Sequence, residues 1–243
     1  LLAELQNTQI GKTGIENEFD YVLRGKPGIQ TQERDVKGKL VRILDTQGAE
    51  DGKDIYLTID QKLQDHLFKL FENRRGALVA LEPKTGLVRA LISSPSFNPT
   101  ILNSSVDTDE VESLFSNKES PIFNRAISGQ YPPASTLKPF VGLAAIENEV
   151  ISWDKKIKDD GEFYVEGDPR PYRGWKENGH GRVDMRKAIA ESSDVYFYTI
   201  AFDLTLAGIR PMLDSFGFGK KTGLTDFEAN GLLPDKKWKL GYK

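Results

Sequence analysis

The 243-residue chain predicts an α+β fold on three observations. Glycine-punctuated extended pieces fill residues 1 to about 60, two strand-like runs flank a turn just beyond, and helical spacing of apolar residues dominates from residue 115 onward. The length allows one large domain or two modest ones, each able to bury a core.

Taken in order, Gly25, Gly28, Gly38, Gly48 and Gly52 divide the first region, in which 39–44 (KLVRIL) and 54–59 (DIYLTI) carry the apolar, β-branched content of strands. Asp60 reads as the N-cap of a helix over 61–72, because Leu63, Leu67, Leu70 and Phe71 share one face. This helix is expected to join two domains. Residues 76–82 (GALVALE) and 87–93 (LVRALIS) flank Pro83, Lys84, Thr85 and Gly86, a turn by composition, and predict a β-hairpin that opens the larger domain. From 115 to 149 the pattern is helical, interrupted by Tyr131, Pro132 and Pro133, which impose an extended approach before a new helix near Ser135. A polar stretch rich in Gly, Pro and Trp covers 159–181. A helix over 184–191 then yields at Ser192 to another, apolar one from Val195 to about Leu204.

Bulk properties exclude some functions. Lys plus Arg number 33 against 36 Asp plus Glu, and a net charge of -3 offers no field to attract nucleic acid. The absence of cysteine removes disulfides and thiolate metal sites and leaves the redox compartment open. No stretch approaches the ~18–20 consecutive apolar residues of a membrane-spanning helix, and residues 1–10 lack the features of a signal peptide. The chain opens at Leu1 without Met and stops at Lys243 behind a lysine-rich stretch, so a piece of a longer protein is expected.

Two segments carry candidate chemistry. A serine hydroxyl is a poor nucleophile near neutral pH and needs a neighbouring base. Ser135 and Lys138 would share one face of a helix's first turn, where an amine against apolar walls can take that proton and the Ser135 N–H can serve a developing oxyanion. The alternative is an ordinary N-cap with a surface lysine one turn on. A second Ser-x-x-Lys, Ser152 to Lys155, sits in a charged run (SWDKKIKDD) and reads as solvated surface. Ser192, Ser193 and Asp194 fall at a break between helices. There they either face a lysine and a substrate amide or simply cap, with Asp194 as the N-cap of the next helix.

Ser-x-x-Lys, a Ser-x-Asn-type element and Lys-Thr-Gly are the three parts shared by penicillin-binding proteins and serine β-lactamases. The hairpin GALVALEPKTGLVRALISSPSFNP, the phrase FNRAISGQYPPASTLKPF and the ESSDVYFYTIA helix, in this order and spacing, resemble class B penicillin-binding proteins. Ser-x-Asp in place of Ser-x-Asn, PYRGWKENGHG and IGKTGIENEFDYVLRG resemble the branch of that class that serves rod elongation. The likeness covers essentially the whole chain.

The resemblance implies a pedestal or dimerisation-type region with a linker helix over 1–70. Residues 71–243 would then be the N-terminal part of a transpeptidase domain with the serine β-lactamase-like fold. It implies a peptidoglycan D,D-transpeptidase of cell elongation within the D-Ala-D-Ala transpeptidase and carboxypeptidase family. In that scheme Ser135 attacks the carbonyl of the penultimate D-alanine of a stem peptide and Lys138 takes its proton. Ser192 relays protons to the leaving group, Asp194 holds Lys138 and the substrate backbone, and β-lactams acylate the same serine. Implied partners are peptidoglycan stem peptides, β-lactams and a polytopic membrane glycosyltransferase. An inner-membrane anchor upstream of Leu1 would place the domain on the periplasmic face; no cofactor is implied. The rival readings are a β-lactam-sensing or hydrolysing relative and a catalytically silent scaffold for the glycosyltransferase.

Two departures from the family pattern matter. Lys-Thr-Gly occurs at Lys12, Lys84 and Lys221, and none is assigned to catalysis: two precede the nucleophile, and the third follows Asp194 by only 27 positions, in a loop context. The family's functional triplet lies on a later strand, so the chain by itself is expected to transpeptidate little and to acylate weakly. Some relatives hold a metal near His180 with Asp, His and Cys ligands. Here Gly174 stands near the expected carboxylate and cysteine is lacking, so no metal is assigned and His180 is read as a structural histidine beside Trp175.

Overall fold

The structure is a computed structural model that describes residues 10–72, 74–102 and 108–241. The chain forms two compact units, Leu1–Gly129 with Gly223–Glu228, and Gln130–Thr222 with Ala229–Lys243. Helices alternate with antiparallel strand pairs in both, which is the α+β class that the sequence predicts.

In the first unit, helices α1 (Gly14–Glu18) and α2 (Asp20–Leu23) are knitted by Asp20, which accepts the Gly11 N–H at 2.9 Å and pairs with Arg24 at 2.8 Å. Strands β1 (Ile29–Arg34) and β2 (Leu40–Gln47) follow, with Ile29 opposite Gln47; Asp35 closes their connection by accepting the N–H groups of Lys37 and Lys39. Residues 54–59, expected as a strand, join no ladder. A ladder needs successive backbone pairs, whereas Thr58 uses its hydroxyl, which donates to the Val88 carbonyl at 2.7 Å.

Helix α3 (Gln61–Phe71) starts where Asp60 accepts the Leu63 N–H at 3.0 Å and ends at Glu72, whose φ of 46° is left-handed. Strands β3 (Gly76–Leu81) and β4 (Val88–Ser94) form the expected hairpin, with Gly76 opposite Ser94. Gln64 docks α3 on that hairpin: its amide donates to the Leu91 carbonyl at 2.8 Å and accepts the Leu91 N–H at 2.9 Å.

The helical pattern expected to run from 115 is cut short. Helix α4 (Thr108–Ser116) and the one-turn α5 (Arg125–Ser128) are separated by turns over 117–124. Asn117 accepts the Glu119 N–H, Ser120 is left-handed at φ 47°, and Pro121 has no N–H to give. The buried guanidinium of Arg125 then locks the turn by donating to the carbonyls of Glu119 at 2.6 Å and Ser120 at 3.0 Å.

The second unit is built on α6 (Lys138–Glu147), entered through a 3₁₀ turn over Ala134–Leu137. Strand β5 (Ile157–Asp159) pairs with β8 (Gly181–Val183), and β6 (Glu162–Phe163) pairs with β7 (Tyr172–Arg173). Helix α7 (Met185–Ala190) leads to α8 (Asp194–Ser215), and α9 (Lys236–Gly241) follows. Val141, Ala144 and Ala145 of α6 close on Tyr196, Phe197, Ile200 and Leu204 of α8, with Val183, Met185 and Ala188 completing the core. The small alanines let the two helices approach closely. The sequence places the end of α8 near Leu204. The helix does break there, at Thr205 (φ 60°, ψ 171°), but resumes to Ser215 because Ile209, Met212 and Leu213 continue the apolar face against the core. Among the described residues no helix is long and apolar enough to cross a membrane.

Candidate active site

Ser135 is delivered by the 3₁₀ turn and Lys138 by the first position of α6, directly after it. Pro132 and Pro133 bring the chain in, Ala134 takes a left-handed φ of 49°, and α6 begins at Lys138 itself. The sequence places the pair in the first turn of an α-helix; a 3₁₀ turn aligns them better, because it repeats every three residues and so stacks positions i and i+3. Ser135 is exposed, whereas the Lys138 side chain is only 12% accessible.

The Lys138 ammonium is gripped by the segment between α7 and α8. Nζ donates to the Ser192 carbonyl at 2.8 Å, to Ser192 Oγ at 3.0 Å and to Asp194 Oδ1 at 2.6 Å, and lies 5.6 Å from the centre of the Phe197 ring. Ser192 Oγ in turn donates to Ser135 Oγ at 2.9 Å. Ser192 therefore stands between the two residues that the sequence pairs directly. All four candidates, Ser135, Lys138, Ser192 and Asp194, come together in one hydrogen-bonded chain.

Local structure explains why Ser192 and Asp194 reach the lysine. Asp184 caps α7 by accepting the Lys187 N–H at 2.9 Å, the helix ends, and Ser192 turns the backbone with a left-handed φ of 54°. The N-cap of α8 is Ser193, which accepts the Tyr196 N–H at 3.2 Å; the alternative reading of Asp194 as the cap is corrected. Asp194 is instead the first helical residue. Its carboxylate sits at the positive end of α8 and accepts the Trp175 N–H through Oδ2 at 3.1 Å while Oδ1 holds Lys138.

Directly behind this segment lies a second cluster, which joins His180 and Ser193 to Asp159, a residue that the sequence does not single out. Asp159 Oδ2 accepts the Ser193 hydroxyl at 2.6 Å and meets His180 Nδ1 at 2.6 Å, while Oδ1 accepts the Gly161 N–H at 2.9 Å. Burial pushes the Asp159 carboxyl up, but the hydrogen bonds from Ser193, His180 and Gly161 outweigh it and hold the group below its ordinary value. The available signal was the pairing of β5 with β8, which sets Asp159 opposite Gly181; that is a long-range register, invisible to local periodicity. His180 also packs edge-on against Trp175, with ring centres 5.4 Å apart.

The site does not fit a metal of the kind some relatives hold. His180 Nε2 is buried without a hydrogen-bond partner among the described residues, and the acid oxygen facing it, on Glu191, is 4.0 Å away with Lys187 Nζ 3.9 Å from the same carboxylate. Zinc needs four donors at about 2.0–2.3 Å, and Gly174 brings no side chain. Among the described residues no group of three or more His, Asp or Glu could hold a metal ion.

The three Lys-Thr-Gly triplets lie outside strands. Thr13 is the N-cap residue of α1, Thr85 lies in the turn between β3 and β4, and Gly223 (φ 82°) sits in the loop after α8, where its N–H donates to Glu228 at 2.7 Å.

A serine and a lysine joined through a second serine on an α+β fold point to a class, and the comparisons give the family. Residues 76–243 match the penicillin binding protein transpeptidase domain and residues 3–57 the penicillin-binding protein dimerisation domain. The chain belongs to the penicillin-binding protein transpeptidase family.

Within it, the chain is similar to the peptidoglycan D,D-transpeptidase MrdA of Acinetobacter baumannii, with 39% identity over 95% of this chain and 34% of the relative. MrdA of Escherichia coli K12 is 36% identical over 95% of this chain and 36% of its own length. The chain thus spans about a third of the length of these relatives. Among solved structures it resembles PBP2 of Pseudomonas aeruginosa in complex with WCK 5153 (TM-score 0.81, 35% identity), covering 96% of this chain and 49% of that one. It also resembles PBP2 of Helicobacter pylori in complex with MreC (TM-score 0.85, 33% identity), covering 96% of this chain and 44% of that one. These likenesses agree with the rod-elongation branch that the sequence resembles.

Proposed function

We propose that the full-length protein is a peptidoglycan D,D-transpeptidase of cell elongation that works through an acyl-enzyme on Ser135. The observation that carries this reading is the unbroken run of contacts from Ser135 Oγ to Ser192 Oγ to Lys138 Nζ to Asp194 Oδ1, at 2.9, 3.0 and 2.6 Å. Ser135 Oγ attacks the penultimate D-alanine carbonyl, and its proton passes over the Ser192 hydroxyl to Lys138 in its amine form. The tetrahedral intermediate then collapses: the bond to the terminal D-alanine nitrogen breaks, and Ser192 returns the proton to that nitrogen. An amine of a neighbouring stem peptide attacks the Ser135 ester, gives its proton to the same relay, and releases the serine. Asp194 keeps Lys138 aimed throughout.

In this reading 1–70 is the pedestal and 71–243 the N-terminal part of the catalytic domain. The protein acts on the periplasmic face of the inner membrane, beside a polytopic glycosyltransferase and, by analogy with the Helicobacter pylori complex, a protein of the MreC kind. β-Lactams acylate Ser135. The Lys-Thr-Gly strand of the family is not among the described residues, so the isolated chain is expected to acylate weakly.

The test is to react the full-length protein with a penicillin and map the adduct by mass spectrometry. The adduct is expected on the peptide containing Ser135 and is lost in Ser135→Ala. An adduct on Ser152, or none at all, overturns the proposal.

A further inference from the structure

The relay depends on two residues, Ser192 and Asp194, that flank a third with no part in it. Ser193 is completely buried, and its hydroxyl is engaged on both sides: it donates to Asp159 and accepts from the Tyr196 N–H. Its neighbours carry every oxygen that the structure shows on Lys138. Ser192 does so from a left-handed backbone, a conformation that costs a non-glycine residue about 1 kcal/mol or more and persists only where the surroundings impose it.

The turn itself is closed by the C-terminus of α7, where the Ser192 N–H donates to the Ile189 carbonyl at 3.2 Å and the Ser193 N–H to the Ala188 carbonyl at 2.9 Å; beyond it the segment is anchored through the Ser193 hydroxyl on Asp159. The residue is 1% accessible, so no solvent substitutes for its partners. Its position is set by a tight backbone crossing at Gly161 (φ 92°) and Gly179 (φ 66°). A Cβ on Gly161 would collide with the Glu177 carbonyl, and one on Gly179 with the Asp159 carbonyl. That crossing presents Asp159 and His180 side by side. The Gly161 backbone reaches Asp194 by a second route: the Gly174 N–H donates to the Gly161 carbonyl at 2.8 Å, and the next residue, Trp175, gives its N–H to Asp194.

We infer that Asp159, with His180 and Ser193, is the positioning device of the active site, holding Ser192 and Asp194 on Lys138 through protein hydrogen bonds alone and without a metal ion. The inference deepens the proposed transpeptidase reading and, for its rate arm, rests on it. Asp159 and His180 touch neither Ser135 nor Lys138 in any hydrogen bond of the structure; they act through Ser193.

The experiment uses full-length Asp159→Asn, Ser193→Ala and Ser193→Thr proteins, with Val183→Ala as a control that loosens the same core without touching the brace. Two quantities are read: the rate of acylation by a fluorescent penicillin, and amide hydrogen exchange over 192–196. Asp159→Asn and Ser193→Ala are expected to acylate about tenfold more slowly or worse, the scale on which a displaced catalytic group slows a reaction. They should also lose exchange protection over 192–196 while α6 keeps its own. Ser193→Thr retains the hydroxyl and recovers most of the rate, and Val183→Ala acylates like the parent. Chelator treatment of the parent is expected to leave rate and melting temperature unchanged.

Unaltered exchange over 192–196 in Asp159→Asn overturns the inference whether or not any penicillin is bound. So does a Ser193→Thr protein that melts like the parent yet is as slow as Ser193→Ala, or a stoichiometric metal whose removal collapses the site. A parent protein that takes no penicillin but loses protection in Asp159→Asn sinks the proposed function and leaves the brace standing.

Discussion

Ser135–Lys138 and Ser152–Lys155 are the same four-residue pattern in one chain, and both serines are exposed. Their lysines differ. Lys138 is drawn inward and bound by three oxygens, whereas Lys155 is exposed in a turn whose own link to Ser152 is a backbone bond, from its N–H to the Ser152 carbonyl at 3.3 Å. The comparison teaches that the tetrad does not make the site. A segment more than fifty residues further along the chain makes it, by bringing Ser192 and Asp194 to the first lysine.

The sharpest way to break this contrast is to exchange the serines' fates. Ser135→Ala is expected to abolish penicillin labelling and Ser152→Ala to leave it intact; labelling that survives the first change removes the distinction. Next in size, Asp194→Asn keeps the side chain's volume but withdraws the charge from Lys138. Acylation should slow by roughly a hundredfold with little change in melting temperature, as measured by stopped-flow fluorescence. Lys155→Ala should change neither.

Stability separates the segments on a smaller scale. Asp159 has a carboxyl held below its ordinary value near 3.8, so it contributes stability that is fully present above that value and is lost as the pH falls through the lower folded value. Asp159→Asn should therefore cost about 2 kcal/mol at neutral pH, and the deficit should shrink in strong acid, in melting curves taken across that range. Smallest are two substitutions remote from the lysines. Tyr196→Phe deletes a buried hydroxyl that finds no partner among the described residues, and Thr205→Gly relieves a left-handed β-branched residue; each should stabilise by about 1 kcal/mol in denaturant titrations.

The local rules read some of this directly. Asp60 was recognisable as a cap, the 76–93 hairpin by its alternation and turn, and the four site residues by motif and family likeness. What escaped depended on partners distant in sequence. The 54–59 run has strand composition but no ladder, the helical pattern from 115 broke where Arg125 found carbonyls to grip, and the contact of Ser192 with Ser135 needed the meeting of α6 with the α7–α8 turn. Asp159 was hidden for the same reason, whereas His180 was legible as a structural histidine beside Trp175 and only its acidic partner was not. They lie in a polar stretch whose composition announces a loop, and only the β5–β8 register reveals them as neighbours.

The nitrogen proposed to accept the proton is also a rivet between α6 and the start of α8, fastening a carbonyl and a carboxylate from across the core. Truncating Lys138 therefore unpins two helices at the same moment as it removes the proposed base. A dead enzyme obtained that way confounds scaffold with reactivity, and the cleaner probe of the chemistry is the serine, whose loss leaves the rivet in place.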